Sequence, residues 1–234
     1  TENVKFNLVD DDKKILQILK KEEMEKIISD IANEKLEIKN IETKKFKEYA
    51  PSLYDMNTLQ KDAAKRYKLS PDKTLKIAQK LYEDKELISY PRTDCNIISA
   101  EEAKEVKNAI NLVGKFAKYK NLVNEVSKIN PTYKLEKKYI GKIKGHYAII
   151  PVLNYAKQSI PQLSDDEKKI FDLIVMRFIS VFLPPVSGEK TKIDAVIKEY
   201  PFFTEIKNIR DYGYKKLIQT DKDDSNNDIS VDYK

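Results

Sequence analysis

The order of local signals constrains this chain most. Strand-like segments lie at both ends, and capped helices fill the middle. VKFNLVDDDKKILQIL reads as strand broken by the acidic turn Asp10–Asp12. KEEMEKIISDIAN (21–33) reads as a helix, with Met24, Ile27, Ile28 and Ile31 at i, i+3, i+4 and i+7. KLEIKNIETKKFKEYAP (35–51) reads as a strand in which Leu36, Ile38 and Ile41 lead into a basic stretch that Pro51 ends. From Lys190 three further strand segments follow, TKIDAVI, FFTEIKNI and GYKKLIQT. The acidic tail DKDDSNNDISVDYK reads as a loop or frayed end.

The middle is helical. NTLQ offers Asn57 as N-cap with Gln60 three residues on, and Leu59, Ala63 and Tyr67 then share one face as far as Lys68. LSPDK is the next start, with Ser70 as cap, Pro71 at the first helical position and Asp72 in the first turn. Leu75, Ala78, Leu81 and Tyr82 form its stripe. After Lys85, ELISY reads as a short strand. In SAEEAKEVKNAINLVG, Ser99 is capped back by Glu102 and Gly114 is the stop. NPTYKLEKKYIGKIKGHYAIIP (130–151) is irregular and basic. LSDDEKKIFDLIVMRFISVFLPP carries a capping box, Ser164 with Glu167, and an apolar helix ended by Pro184–Pro185. This order predicts an α+β fold. A β-rich domain from residues 1–54 and 186–234 holds an inserted, mainly helical domain over 55–185, and segments 35–50 and 190–220 meet in space.

A chain of 234 residues can bury enough apolar surface to fold without disulfides, and a single cysteine, Cys95, rules out an intramolecular one. The expected compartment is the cytosol. No run of about 18 apolar residues exists, so no membrane span is expected. A start at Thr1 without a leader pattern suggests a piece of a longer protein. The net charge of +6 permits a nucleic-acid partner without demanding one.

Residues 57–94 read as helix, tight turn, helix and short strand, the order of a helix-turn-helix with a wing. Lys61, Lys65, Arg66, Lys68, Lys73, Lys76 and Lys80 lie mostly off its apolar stripes. They form either a solvated face or a set of phosphate contacts. Tyr90 ends ELISY and precedes Pro91, Arg92 and Asp94. A tyrosine can be a covalent nucleophile, but a phenol with a reference pKa of about 10 needs a cation or metal to favour its ionised form. Arg92 supplies a fork that fits phosphate oxygens. Residues two apart on an extended chain lie on one side, so Tyr90 and Arg92 face one phosphate if the extension persists through Pro91. By residue chemistry alone, the default reading of Tyr90 is a core or surface aromatic. His146, the single histidine, sits in KGHYAIIP after Lys142 and Lys144, where it is a hydrogen-bonding structural residue or a phosphate contact. No metal-ligand spacing or glycine-rich phosphate loop is present, and Asp10–Asp12, Asp165–Asp166 and Asp223–Asp224 read as turn or cap clusters.

Together these segments resemble the type IA DNA topoisomerases, most closely the bacterial topoisomerase III branch. APSLYDMNTLQKDAAKRYKLSPDKTLKIAQKLYEDKELISYPRTD is similar to that family's run into its active-site tyrosine, GHYAIIP to its histidine motif, and LSDDEKKIFDLIVMRFISVFLPP to the helix that follows. The resemblance runs from about Glu22 to Gly213. It implies that Tyr90 attacks single-stranded DNA to give a 5′-phosphotyrosine, with Arg92 on the scissile phosphate, His146 on the DNA backbone, and Gln60 and Asp94 in support. It implies a β-rich arch domain carrying a winged-helix-like domain with the tyrosine. It also implies that Mg²⁺ is held by an N-terminal metal-binding domain not recognised in these residues, that this domain and the cleft domain are partners, and that no cofactor is held here. In HYAIIPV, Tyr147 and Val152 stand where the family often has another histidine and a threonine. The alternative is a non-enzymatic winged-helix DNA-binding module.

Overall fold

A computed structural model of the chain describes residues 4–18, 20–152 and 162–218. It is a mixed α/β fold with six α-helices and a four-stranded antiparallel sheet among the described residues. The chain divides into two compact units. One comprises Thr1–Glu48, Val186–Tyr212 and Thr220–Lys234, and the other Tyr49–Pro185 and Gly213–Gln219.

The first unit is the sheet. Strands β1 (Asn7–Leu8), β2 (Glu37–Glu48), β3 (Val186–Ile197) and β4 (Tyr200–Asp211) lie in the order β1-β4-β3-β2. β2 and β3 pair from Glu37↔Val196 to Glu48↔Val186, so segments distant in sequence meet as the patterning predicts. After β1, the acidic turn closes on itself: the Asp10 side chain accepts from the Lys14 backbone N–H at 2.8 Å. Lys13 reaches Asp194 on β3 at 2.7 Å. This pair and a bond from Asn40 hold the Asp194 carboxyl below its usual range, the Lys13 bond contributing most. Helix α1 (Lys21–Ile31) buries Ile27, and Tyr200 donates to its Asp30 at 2.7 Å.

The second unit is helical, and its helix starts follow cap chemistry. Helix α2 (Met56–Tyr67) begins at Asp55, whose carboxylate accepts from the Thr58 N–H at 2.7 Å while Thr58 returns the bond. The cap is therefore not Asn57. The extended backbone at Asp55 presents its side chain to the free N–H groups first. Helix α3 (Pro71–Glu83) starts as expected, with Ser70 accepting from Lys73 and Pro71 at the first position. Its buried face is Thr74, Ile77, Ala78 and Leu81, while Tyr82 is exposed.

Three expected features differ. ELISY forms no strand: only an Ile88↔Pro151 bridge appears. Glu86 takes a left-handed φ of 54°, and Pro91 lacks an N–H, so no ladder can extend in either direction. Gly114 does not stop its helix. Helix α4 (Glu102–Lys115) runs through it, and a second helix, α5 (Ala117–Ile129), follows an extended Phe116. A Cβ at Gly114 would meet Val123 of α5 at 3.5 Å, an ordinary packing distance, so nothing in its surroundings requires the chain to break there. GYKK is a 3-10 turn over Gly213–Lys216, not a strand. Gly213 has φ +48°, which leaves the extended path, and the Tyr214 N–H donates to Pro184 at 2.8 Å. The expected frayed tail lies outside the described residues.

Helix α6 (Asp165–Ser180) organises this unit. Its capping box joins Ser164 and Glu167 as the sequence predicts. It buries Ile170, Phe171, Leu173, Ile174, Val175, Phe178 and Ile179, each contributing roughly 1.5–3 kcal/mol. Arg177 lies 4.2 Å over the Tyr54 ring and donates to Ser52 O at 2.9 Å and Asp62 Oδ2 at 2.8 Å. The Tyr54 hydroxyl also donates to Asp62, at 2.5 Å. No described helix is long and apolar enough to cross a membrane.

Candidate active site

Tyr90 lies on a loop clamped from both sides by the segment that holds His146. Before it, the Ser89 N–H donates to Ile150 O at 2.9 Å, and the buried Ser89 hydroxyl donates to Ala148 O at 2.8 Å. After it, the buried Thr93 hydroxyl donates to His146 O at 3.0 Å and accepts from the Cys95 N–H at 3.0 Å. The Thr93 carbonyl accepts from the Met56 N–H, which ties the loop to the start of α2. Small hydroxyl side chains suit this task, because each can donate and accept in a space too tight for a longer group.

The clamp sorts the intervening side chains. Pro91 and Thr93 are buried, Tyr90 is half-buried, and Arg92 and Asp94 are exposed. Burial thus alternates along the loop and leaves Arg92 and Asp94 accessible on either side of Thr93. The Tyr90 ring centroid lies 4.2 Å from that of His146 at an interplanar angle of 37°. Tyr82, from the exposed edge of α3, meets the Tyr90 ring edge-on at 5.5 Å. Tyr82, Ser89, Tyr90, His146, Tyr147 and Val152 line an open cleft of about 380 Å³. Burial first, then Glu102 and Tyr82, raise the Tyr147 hydroxyl above its ordinary pKa, so it stays protonated.

His146 reaches this position by way of Gly145, whose φ of +95° suits no other residue type well. His146, Lys142 and Lys144 are exposed on the same irregular segment. Lys138 is committed elsewhere: it donates to Ala50 O at 3.3 Å and lies 4.9 Å over the Tyr139 ring.

Arg92 is held from α3. With its carboxamide oxygen facing the guanidinium, Gln79 accepts from Arg92 Nε at 3.2 Å and from Nη2 at 3.0 Å. Sequence reasoning passed over Gln79, Ser89 and Thr93. Their available signal was position alone: the two hydroxyls bracket the tyrosine, and Gln79 and Tyr82 are three apart on one helix. Gln60 sits instead at the junction of α2 and α3, where its amide donates to Pro71 O at 3.1 Å. Among the described residues, no group of three or more His, Cys, Asp or Glu side chains is placed to hold a metal ion.

A family model described as DNA topoisomerase matches residues 2–233. The chain belongs to this family. It is similar to DNA topoisomerase 3 of Bacillus subtilis (strain 168), with 36% identity over 181 residues, covering 76% of this chain and 24% of the relative. It is also similar to DNA topoisomerase 3 of Bacillus cereus (strain ATCC 10987), with 30% identity over 213 residues, covering 89% of this chain and 28% of the relative. The topoisomerase chain thus spans about a quarter of the length of the curated relatives it matches. Among solved structures, full-length topoisomerase I from Thermotoga maritima matches its fold with a TM-score of 0.62 and 22% identity, over 97% of this chain and 35% of that one. These likenesses place it as a type IA, topoisomerase III-like chain.

Proposed function

We propose that this chain carries the strand-cleaving tyrosine of a type IA topoisomerase, and that the tyrosine is Tyr90. The observation that supports this most directly is the ring contact between Tyr90 and His146 beside an anchored Arg92. The Tyr90 oxygen attacks a phosphodiester of single-stranded DNA. The new O–P bond forms as the P–O3′ bond breaks, the phenolic proton leaves, and a proton arrives at the departing 3′ oxygen. The downstream strand is left as a 5′-phosphotyrosine and the upstream strand as a free 3′-hydroxyl. Because a phosphodiester replaces a phosphodiester, attack by that hydroxyl reverses the step without ATP. Passing a strand through the gap would relax negative supercoils or decatenate DNA.

Arg92 holds and polarises the scissile phosphate, and His146 with Lys142 and Lys144 contacts the DNA backbone. Gln60 acts only through the α2–α3 junction, and Asp94 borders the site. In this reading the sheet unit is a hinge-like arch and the helical unit a winged-helix-like gate, the wing being the loop that bears Tyr90. The described residues do not fit a Mg²⁺ site, and in this reading the metal is held by a separate metal-binding domain. That domain and a cleft domain are the proposed partners. The bacterial origin of the relatives supports a place of work in the bacterial cytoplasm. With charge stabilisation commonly the largest catalytic term, the isolated chain folds but does not cleave.

The test is a detergent trap with the whole protein, Mg²⁺ and a single-stranded oligonucleotide labelled at its 3′ end. The expected result is label covalently attached to protein, absent in Tyr90→Phe. Adduct persisting in Tyr90→Phe would overturn the assignment. A non-enzymatic winged-helix module would give no adduct and a sequence preference on duplex DNA. Adduct formed by the 234-residue chain alone would refute its inactivity.

A further inference from the structure

The way Gln79 meets Arg92 determines which part of the guanidinium is left for a ligand. A guanidinium only donates, through five N–H groups in one plane. A carboxamide that turned its NH₂ toward it would set donors against donors, so the hydrogen-bonding pattern fixes the Gln79 oxygen inward. That oxygen takes the Nε–H and one N–H of Nη2, both on the lateral edge. The two N–H groups of Nη1 and the second one of Nη2 remain. They form the terminal fork, whose spacing matches two oxygens of a phosphate.

We propose that Gln79 is a positioning residue for Arg92. It is a neutral acceptor on a rigid helix that locks the guanidinium plane and leaves its terminal fork and its full charge for the phosphate that Tyr90 attacks. This rests on the reading of Arg92 as the phosphate holder. Neutrality is the telling property. A carboxylate at position 79 could make the same two bonds, but it would compete with the phosphate for the cation. Arginine carries many rotamers, and ordering its side chain costs affinity each time a ligand binds. An exposed arginine anchored in advance has already lost that freedom.

Binding of a fluorescein-labelled oligothymidylate to the whole protein, by anisotropy across a range of salt, tests the proposal. The variants are Gln79→Ala, Gln79→Glu, Arg92→Ala and Gln79→Ala with Arg92→Ala. Gln, Ala and Glu are all good helix formers and position 79 is half-exposed, so α3 is retained in each. Arg92→Ala is expected to weaken binding about tenfold or more. Gln79→Ala is expected to weaken it about three- to tenfold in the presence of Arg92, and the double variant is expected to bind no more weakly than Arg92→Ala alone. Gln79→Glu is expected to bind more weakly than Gln79→Ala, and to lower the log–log salt slope by about 0.7, the signature of one lost single-strand phosphate contact.

Additive losses in the double variant, or Gln79→Glu binding as well as Gln79→Ala, overturn the positioning role. So does a silent Gln79→Ala when Arg92→Ala weakens binding, and in that case the reading of Arg92 stands. An unchanged affinity in Arg92→Ala overturns both.

Discussion

The rings of Tyr90 and His146 are in contact, 4.2 Å apart between centroids and tilted by 37°. The contact joins a residue from the loop after α3 to one from the basic segment after α5, and the hydroxyls of Ser89 and Thr93 hold it. Because both rings are fixed, a change at His146 can separate its packing from its hydrogen bonding.

His146→Phe keeps a ring against Tyr90 and removes both ring nitrogens. The folded state is expected to persist, with an unchanged thermal midpoint, while affinity for single-stranded DNA falls about tenfold, as for one hydrogen bond to a charged group. Equal affinities for the two proteins would assign His146 to packing alone.

The lysines of the basic segment should divide into two kinds. Lys142 and Lys144 are exposed, so Lys142→Ala and Lys144→Ala should each lower the salt dependence of single-strand binding by about 0.7 in log–log slope. Lys138 is occupied by Ala50 O and by the Tyr49 and Tyr139 rings. Lys138→Ala should leave the slope unchanged and instead lower the urea midpoint. A slope change equal to that of Lys142→Ala would show that Lys138 is free to meet phosphate.

At the end of α2, Lys68 occupies the left-handed region at φ 56°, and its N–H caps the carbonyls of Ala63 and Ala64. A side chain there carries a conformational cost that glycine avoids. Lys68 is exposed, so Lys68→Gly loses no packing. It should stabilise the chain by about 1 kcal/mol, read as a higher urea midpoint at constant slope.

Alkaline pH should unfold the helical unit through its tyrosines. Burial is the leading cause that raises the hydroxyl pKa of Tyr54, Tyr119, Tyr139 and Tyr147. The unfolded chain releases these protons near pH 10, whereas the folded chain keeps them. Their contribution is therefore complete below about pH 10 and is lost as pH climbs through the raised values. Urea midpoints should hold steady up to about pH 9 and then fall, with phenolate absorbance rising only on unfolding. A midpoint independent of pH across this range would contradict the burial argument.

What could be read from the sequence was what the chain decides locally. The starts at Ser70 and Ser164 need only a side-chain oxygen and an N–H three residues away. For α2 the sequence pointed to Asn57, whereas the cap is Asp55 two residues earlier. The choice between them depends on the backbone arriving from Tyr54, whose carbonyl is held by the distant Ile149 N–H. α5 carried its own helical spacing in Tyr119, Val123 and Val126, hidden behind the assumption that Gly114 ends a helix. That β2 would meet β3 followed from strand segments lying on both sides of a helical middle. The clamp around Tyr90 and the Gln79 bonds to Arg92 did not, because they depend on where whole segments come to rest.

The sheet's last β2–β3 rung pairs Glu48 with Val186, the residues at which the chain leaves for the helical unit and returns from it. Partners on such a rung lie about 5 Å apart at their Cα atoms. To the sheet, the whole excursion from Tyr49 to Pro185 is therefore topologically a single turn. The rung closes the excursion whatever its length, so the register of β2 on β3 is set by the sheet and not by the number of residues between them.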